Sequence, residues 1–172
     1  MLKKRKRVIL AVLAAGLLAA YLGRVLYLRW QFTSAYREVY PKIGETFEED
    51  GLEFTVTGAE REKKEDDSFG VLVYLTIANP TEEDRTYDLA SVYLTGLWFS
   101  CSIDGERFSE INEGSPKVNR NFLVEANTEH EWILPFLIMK YYFAEETWEK
   151  AEETDLSLSF IQTTDRKLVE IP

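Results

Sequence analysis

The chain has 172 residues, 45% of them apolar and 13% aromatic, which is enough for a buried core and excludes general disorder. Its net charge of −10 hides an asymmetry: residues 1–29 hold seven Lys/Arg and no Asp/Glu, so the remainder carries thirteen basic against thirty acidic residues. Seventeen excess negative charges repel nucleic acid and anionic lipid, which excludes a nucleic-acid partner. Solubility is the plain consequence of that acidity, and attraction of a cationic partner the sharper one.

The N-terminus opens on Lys3-Lys4-Arg5-Lys6-Arg7, followed by an uncharged run from Val8 to Gly23. Continued through Leu28, this run makes a helix roughly 31 Å long at about 1.5 Å per residue, the thickness of a bilayer's hydrocarbon. Arg24 falls where its stem can snorkel, and Tyr21, Tyr27 and Trp30 suit an outer aromatic belt. A cleavage site after Ala20 would place Leu18 where a small residue is wanted. The expectation is therefore an uncleaved single-pass anchor, with the N-terminus cytoplasmic and the C-terminal domain extracellular. Ala11, Ala15, Ala19 and Gly23 share one helix face, a spacing that lets two membrane helices approach and suggests a weak homodimer. Residues 1–7 read as a cytoplasmic flank, 8–28 as the transmembrane helix, 29–42 as a juxtamembrane linker continuing the helix to Pro41, and 43–172 as the extracytoplasmic domain.

From the boundary at Pro41 to Gly44 the period changes to two. In 51–58, Leu52, Phe54 and Val56 alternate with Glu53, Thr55 and Thr57, the pattern of a half-buried strand. Residues 61–68 read as a charged loop, and 69–81 as a central strand stopped at Asn79-Pro80. Leu97, Phe99, Cys101 and Ile103 fall on one face of the next strand, with Asp104-Gly105 as its tight hairpin turn. Residues 128–139 form a strand whose Pro135 marks an edge or a bulge. Residues 144–153 are the one convincing helix, and Leu156, Leu158 and Phe160 alternate along a closing strand. Short strands at close spacing with one small helix predict a mainly β, antiparallel sandwich.

The layout resembles a family of extracytoplasmic immunoglobulin-like, or telokin-like, domains of Gram-positive bacteria with no assigned activity. The matching residues are Ile43-Gly44, Gly51 and Val56, then Asn79-Pro80-Thr81, Asp104-Gly105 and Pro135-Phe136, spread over about 43–171. The resemblance implies a surface-displayed binding or accessory module of the envelope and supplies no catalytic residues. The lipobox that many relatives carry is missing, so anchoring rests on the helix.

His130 lies between Glu129 and Glu131, whose side chains on a strand point to the opposite face. Cys101, the sole cysteine, reads as a small core residue, and its use with His130 as a nucleophile and base needs a meeting in space. The runs 48–50, 65–67 and 82–84 are acidic but lack Ca²⁺-loop spacing. Phosphate loops and nucleophile elbows are absent, so neither catalysis, a metal nor a cofactor is expected. Trp98, Trp132 and Trp148 are candidate platforms for a ligand; Trp132 suits the core, and Trp98, opposite in phase to Leu97 and Phe99, either faces outward as an exposed aromatic contact or covers the second face. The expected partners are the membrane and another envelope protein. Two alternatives stand beside this reading: a structural subunit assembling laterally through its membrane helix, and a secreted glycan- or Ca-binding domain released by signal cleavage.

Overall fold

The structure, a computed structural model, describes residues 16, 18, 20–27, 37–63, 67–97, 99–113, 121–162 and 165–171. They belong to two compact units, Met1–Arg37 and Glu38–Pro172. In the first, residues 16, 18 and 20–27 are helical (α1), and all are exposed, Leu22, Val25 and Leu26 among them. Among the described residues no helix is long and apolar enough to cross a membrane. Most of the expected span, 8–15, 17, 19 and 28, lies outside them, as do Ala11, Ala15 and Ala19 of the small-residue face. Gly23 is described, with open space where a Cβ would stand.

The second unit is mainly β. Its strands are β1 (Arg37–Val39), β2 (Thr46–Glu49), β3 (Leu52–Lys63), β4 (Ser68–Asn79), β5 (Arg85–Asp88), β6 (Val92–Thr95), β7 (Ser100–Ser102), β8 (Asn121–Val124), β9 (Thr128–Met139), β10 (Leu156–Gln162) and β11 (Asp165–Ile171). Two short helices join them, α2 (Gly105–Ile111) and α3 (Glu145–Glu152). One sheet has the order β1-β11-β10-β6-β7, a second β2-β3-β4-β9, and β5-β8 form a small pair. Burial alternates along β4, where Val71, Val73, Leu75 and Ile77 turn inward, and along β3 and β10. Phe160 of β10 lies 5.4 Å from Phe54 of β3 and 5.0 Å from Phe47 of β2, so aromatic rings fill the space between the two large sheets. Each fully buried side chain contributes about 1.5–3 kcal/mol relative to exposure. The architecture is a β-sandwich.

Several expectations need correction. Arg37–Val39 form a strand, not the end of a helix, because they add to the edge of the five-stranded sheet beside β11. The charged stretch 61–68 is strand at both ends: β3 runs to Lys63, held by the ladder that pairs Arg61 with Val71 and Lys63 with Phe69, β4 begins at Ser68, and 64–66 lie outside the described residues. Asp104-Gly105 is no hairpin turn. Asp104 caps α2, its Oδ1 accepting from the Glu106 and Arg107 N–H at 3.1 and 3.3 Å. The tight hairpin is at Asp50-Gly51, both at positive φ (53° and 74°), between paired Glu49 and Leu52. Two successive left-handed residues match the right-handed strand twist, and glycine takes the second without strain. Leu97 is 76% exposed rather than on the inner face. The strand breaks at Gly96, where a Cβ would come within 2.8 Å of the Phe99 ring, and the loop directs Leu97 outward.

Asn79 explains the stop at Asn-Pro-Thr. Its buried Nδ2 donates to Glu83 O and Val124 O, both at 2.9 Å, and its Oδ1 accepts from Thr81 N (3.1 Å) and Thr81 Oγ1 (2.7 Å). This one side chain ties the end of β4 to the acidic turn and to β8. Asp84 Oδ1 accepts from Ala126 N at 2.9 Å, so the acidic turn 82–84 is partly structural. Replacing Asn79 with Ala takes the side-chain donor from the buried Val124 carbonyl, while Thr81 Oγ1 still reaches Glu83 O at 2.9 Å, and chemical denaturation of Asn79→Ala is expected to show a loss of about 1–3 kcal/mol.

A second tie joins the sheets at their rim. Glu49 of β2 and Lys167 of β11 form a nearly buried ion pair, with the Lys167 ammonium 5.9 Å from the Phe47 ring centroid. Burial pushes the Lys167 pKa below the usual lysine value, opposed by nearby Glu48. Glu49→Gln leaves that ammonium buried without its counter-charge and is expected to cost about 2–3 kcal/mol in a denaturation titration, whereas Glu49→Leu with Lys167→Met should stay within about 1 kcal/mol of the parent.

Candidate functional site

The two large sheets have free edges, and the fold treats them differently. On β9 the main chain of Ile133 faces outward, where Asn112 occupies it: Ile133 N donates to Asn112 Oδ1 at 3.1 Å, and Asn112 Nδ2 donates to Ile133 O at 2.8 Å. Two residues on, Asp104 N donates to Pro135 O at 2.8 Å. Pro135 thus sits where no N–H is required, at the edge its sequence position announced. The ends of α2 cover this half of β9. Beyond Pro135 the same alternation turns the main chain of Leu137 and Met139 outward.

Across from Leu137 and Met139 runs β7, the free edge of the five-stranded sheet. Its register pairs Thr95 with Ser100, Leu94 with Cys101 and Tyr93 with Ser102. Gly96 N donates to Phe99 O at 2.9 Å, which makes Leu94–Cys101 the next hydrogen-bonded pair and turns the main-chain groups of Ser100 and Ser102 to the open side. Between the two edges lies an open cavity of about 570 Å³, lined by Tyr93, Phe99, Cys101, Leu137, Met139, Tyr142 and Phe143 with the serines of β7.

The wall of this groove is rigid. Phe69, Phe99, Phe143 and Trp148 form a closed ring of contacts, with centroids 5.6–6.4 Å apart. Such pairs add about 0.5–1.5 kcal/mol each beyond area burial. Trp148, raised as a ligand platform from sequence, is buried and belongs to this wall. The rim is different. Tyr141 and Tyr142 are 91% and 72% exposed, and Met139 and Leu97 are also exposed. Lys140 donates to Glu145 Oε1 at 2.8 Å, which ties the rim to the acidic first turn of α3.

The remaining residues singled out from sequence sit elsewhere. Trp132 packs on the core, stacked on Phe108 at 5.5 Å and edge-on to Phe122 at 5.1 Å. Trp98 lies outside the described residues. His130 borders a different open cavity, of about 640 Å³, from the one Cys101 lines, and its Nε2 is 3.3 Å from Thr128 Oγ1. The structure therefore does not bring Cys101 and His130 together. Among the described residues no three His, Cys, Asp or Glu side chains are grouped to hold a metal ion. The groove itself escaped the sequence reading. The available signal was a short unprotected strand, Ser-Cys-Ser, facing the last residues of a long one.

No family model matches the sequence, and no curated protein resembles it in sequence. Solved structures resemble it in fold. An uncharacterized β-sandwich protein from Clostridium difficile superposes with a TM-score of 0.52 at 12% identity, over 79% of this chain and 97% of its own. A functionally unknown protein from Listeria monocytogenes gives 0.50 at 14%, over 74% and 80%. A Bacillus subtilis protein gives 0.49 at 15%, over 77% and 99%. The first two support the sandwich architecture, and at these identities they speak for the fold alone.

Desolvation pushes the Cys101 thiol up to about 12. At pH 8 its thiolate population is then lower than that of an ordinary cysteine by roughly three orders of magnitude. Thiol titration with a disulfide reagent should accordingly be slow in the native protein and fast on unfolding. The folded state holds the thiol proton above the pH at which the unfolded chain releases it, so this group's contribution to stability declines as pH rises above about 8.5. Labelling at the rate of a free cysteine would contradict the packing of the groove floor.

Proposed function

We propose that this chain is a membrane-anchored, extracytoplasmic binding or accessory module of a bacterial envelope, with no catalysis of its own, and that its sandwich is of the immunoglobulin-like, telokin-like kind. One observation carries the reading: a sandwich with internally bonded loops presents an apolar groove and exposed tyrosines at one pole. A groove with a rigid wall and an open rim suits recognition. A thiol held protonated, and a histidine bordering a different cavity, suit nucleophilic chemistry poorly.

The anchor rests on the basic flank at 3–7 and the apolar run that follows. The described part of that run is helical and exposed, apolar surface of the kind that lipid would cover. The groove is not where the chain enters the sandwich. The Glu38 carboxylate lies 3.9 Å from Arg166, at the hairpin end of β10 and β11. The groove opens toward the other end of β10, where Ser157 pairs with Thr95.

Mass spectrometry of membrane fractions should recover peptides that begin before Ala20, and protease added to intact cells should digest the region after residue 38. A main species that starts at Tyr21 and leaves the membrane with a salt wash would refute the anchor.

A further inference from the structure

We propose that the groove between β7 and β9 receives an extended, lysine- or arginine-bearing segment of a partner protein, which adds as a strand to the free edge of β7. This deepens the binding-module reading and rests on it.

The first argument is the main chain. Native sheets protect their edges with proline, inward charge, a bulge or a cover. Here β9 carries Pro135 and is covered by Asn112 and Asp104. Among the described residues the β7 edge carries no proline, inward charge, bulge or cover, and only its three-residue length limits pairing. It offers two N–H groups and two carbonyls, at Ser100 and Ser102, and both side chains are exposed. An added strand bonds to such an edge through its own main chain, and every second side chain then points into whatever lies beside it. What lies beside it is the apolar floor of Phe99, Leu137 and Phe143. An edge without a groove would bind any strand, and a groove without an edge would hold any apolar group. Together they select an extended peptide with apolar residues at alternate positions.

The second argument is charge. The side chains between the apolar ones point away from the floor, toward the rim. The rim holds the exposed faces of Tyr141 and Tyr142. Tyrosine faces attract cations. The whole domain is strongly acidic, which steers a basic segment inward and repels an acidic one. With three residues in β7 the added ladder is short, so affinity is on the order of 10–100 μM and exchange is fast.

The test uses the full chain in nanodiscs and three ten-residue peptides: one alternating Lys with Val, one alternating Glu with Val, and the lysine peptide with alternate amides N-methylated. The lysine peptide should bind, slow amide exchange at Ser100 and Ser102 by about tenfold, and weaken in high salt. The other two should bind at least about tenfold less tightly, since one reverses the charge and the other removes ladder donors. Equal binding of all three, or protection confined to residues outside 99–103, overturns the proposal. Tyr142→Ala should weaken the lysine peptide several-fold without moving the melting temperature. In intact cells a photo-crosslinker placed at Tyr142 should capture a partner, and one at exposed Leu123 of β8 should not. Capture at Leu123 alone overturns the groove and leaves the binding-module reading standing, whereas no protein captured from any exposed position of the sandwich defeats that reading too. A crosslink at Tyr142 to lipid, or to a second copy of this chain, overturns the proposed occupant.

Discussion

An open sheet always has two edges, and each edge strand carries N–H and C=O groups that the sheet itself cannot use. That constraint organises this molecule. β4 is paired along all twelve residues with β9 and along most of its length with β3, so the unmet hydrogen bonds of its sheet are pushed out to β2 and β9. The answer at β9 is a side chain that imitates a strand: Asn112 presents one acceptor and one donor to Ile133, as a neighbouring residue would. At β2 a short strand ends in the Glu49–Lys167 pair, which shields the rim and ties one sheet to the other. At β7 no comparable side chain stands among the described residues. That edge lies beside a groove, and such departures from local rule are where function is sought.

The two Asp-Gly dipeptides show how far local sequence reaches. Both carry the same turn signal. Asp50-Gly51 becomes a two-residue hairpin because alternating residues lie on either side of it and can pair at once. Asp104-Gly105 becomes a helix start because the residues that follow, Glu106 to Ile111, place Phe108 and Ile111 on one helical face, and Phe108 finds Trp132. The deciding partner is more than twenty residues away, beyond any local window. Long strands were legible for the opposite reason. β4 and β9 contain long, nearly continuous apolar runs, and β10 alternates at Leu156, Leu158 and Phe160, so each pattern outweighs local ambiguity. β2, β5 and β8 have four residues each, too few for a period to declare itself.

The groove was illegible from sequence for a related reason. Its parts come from residues 93–104 and 137–143, and only the pairing registers of β6 with β7 and β4 with β9 bring them face to face. Sequence singled out Cys101 for its rarity, and the structure gives it a quieter role in the floor. Sequence also singled out three tryptophans as platforms, and two of them are packing elements, Trp148 in the groove wall and Trp132 against Phe108 and Phe122. The exposed aromatics at the groove's rim are tyrosines 141 and 142, which alternation alone could not place because β9 ends at Met139 and a helical turn intervenes.

The poles of the sandwich differ in how completely their polar groups are used. At the pole of Asn79, one buried amide makes four hydrogen bonds, and the acidic turn is fixed to the 125–127 loop through Asp84. Opening that end would break several buried bonds together, so it is costly. At the pole of Trp148 cohesion comes from aromatic packing, which has no directional groups left over, while the strand edge beside it keeps its main-chain groups free. Aromatic packing keeps the groove's shape without using the hydrogen bonds that a bound strand would need. A polar wall would have competed for those same bonds. The division of labour, hydrogen bonds at one pole and rings at the other, leaves the edge of β7 shaped and unspent.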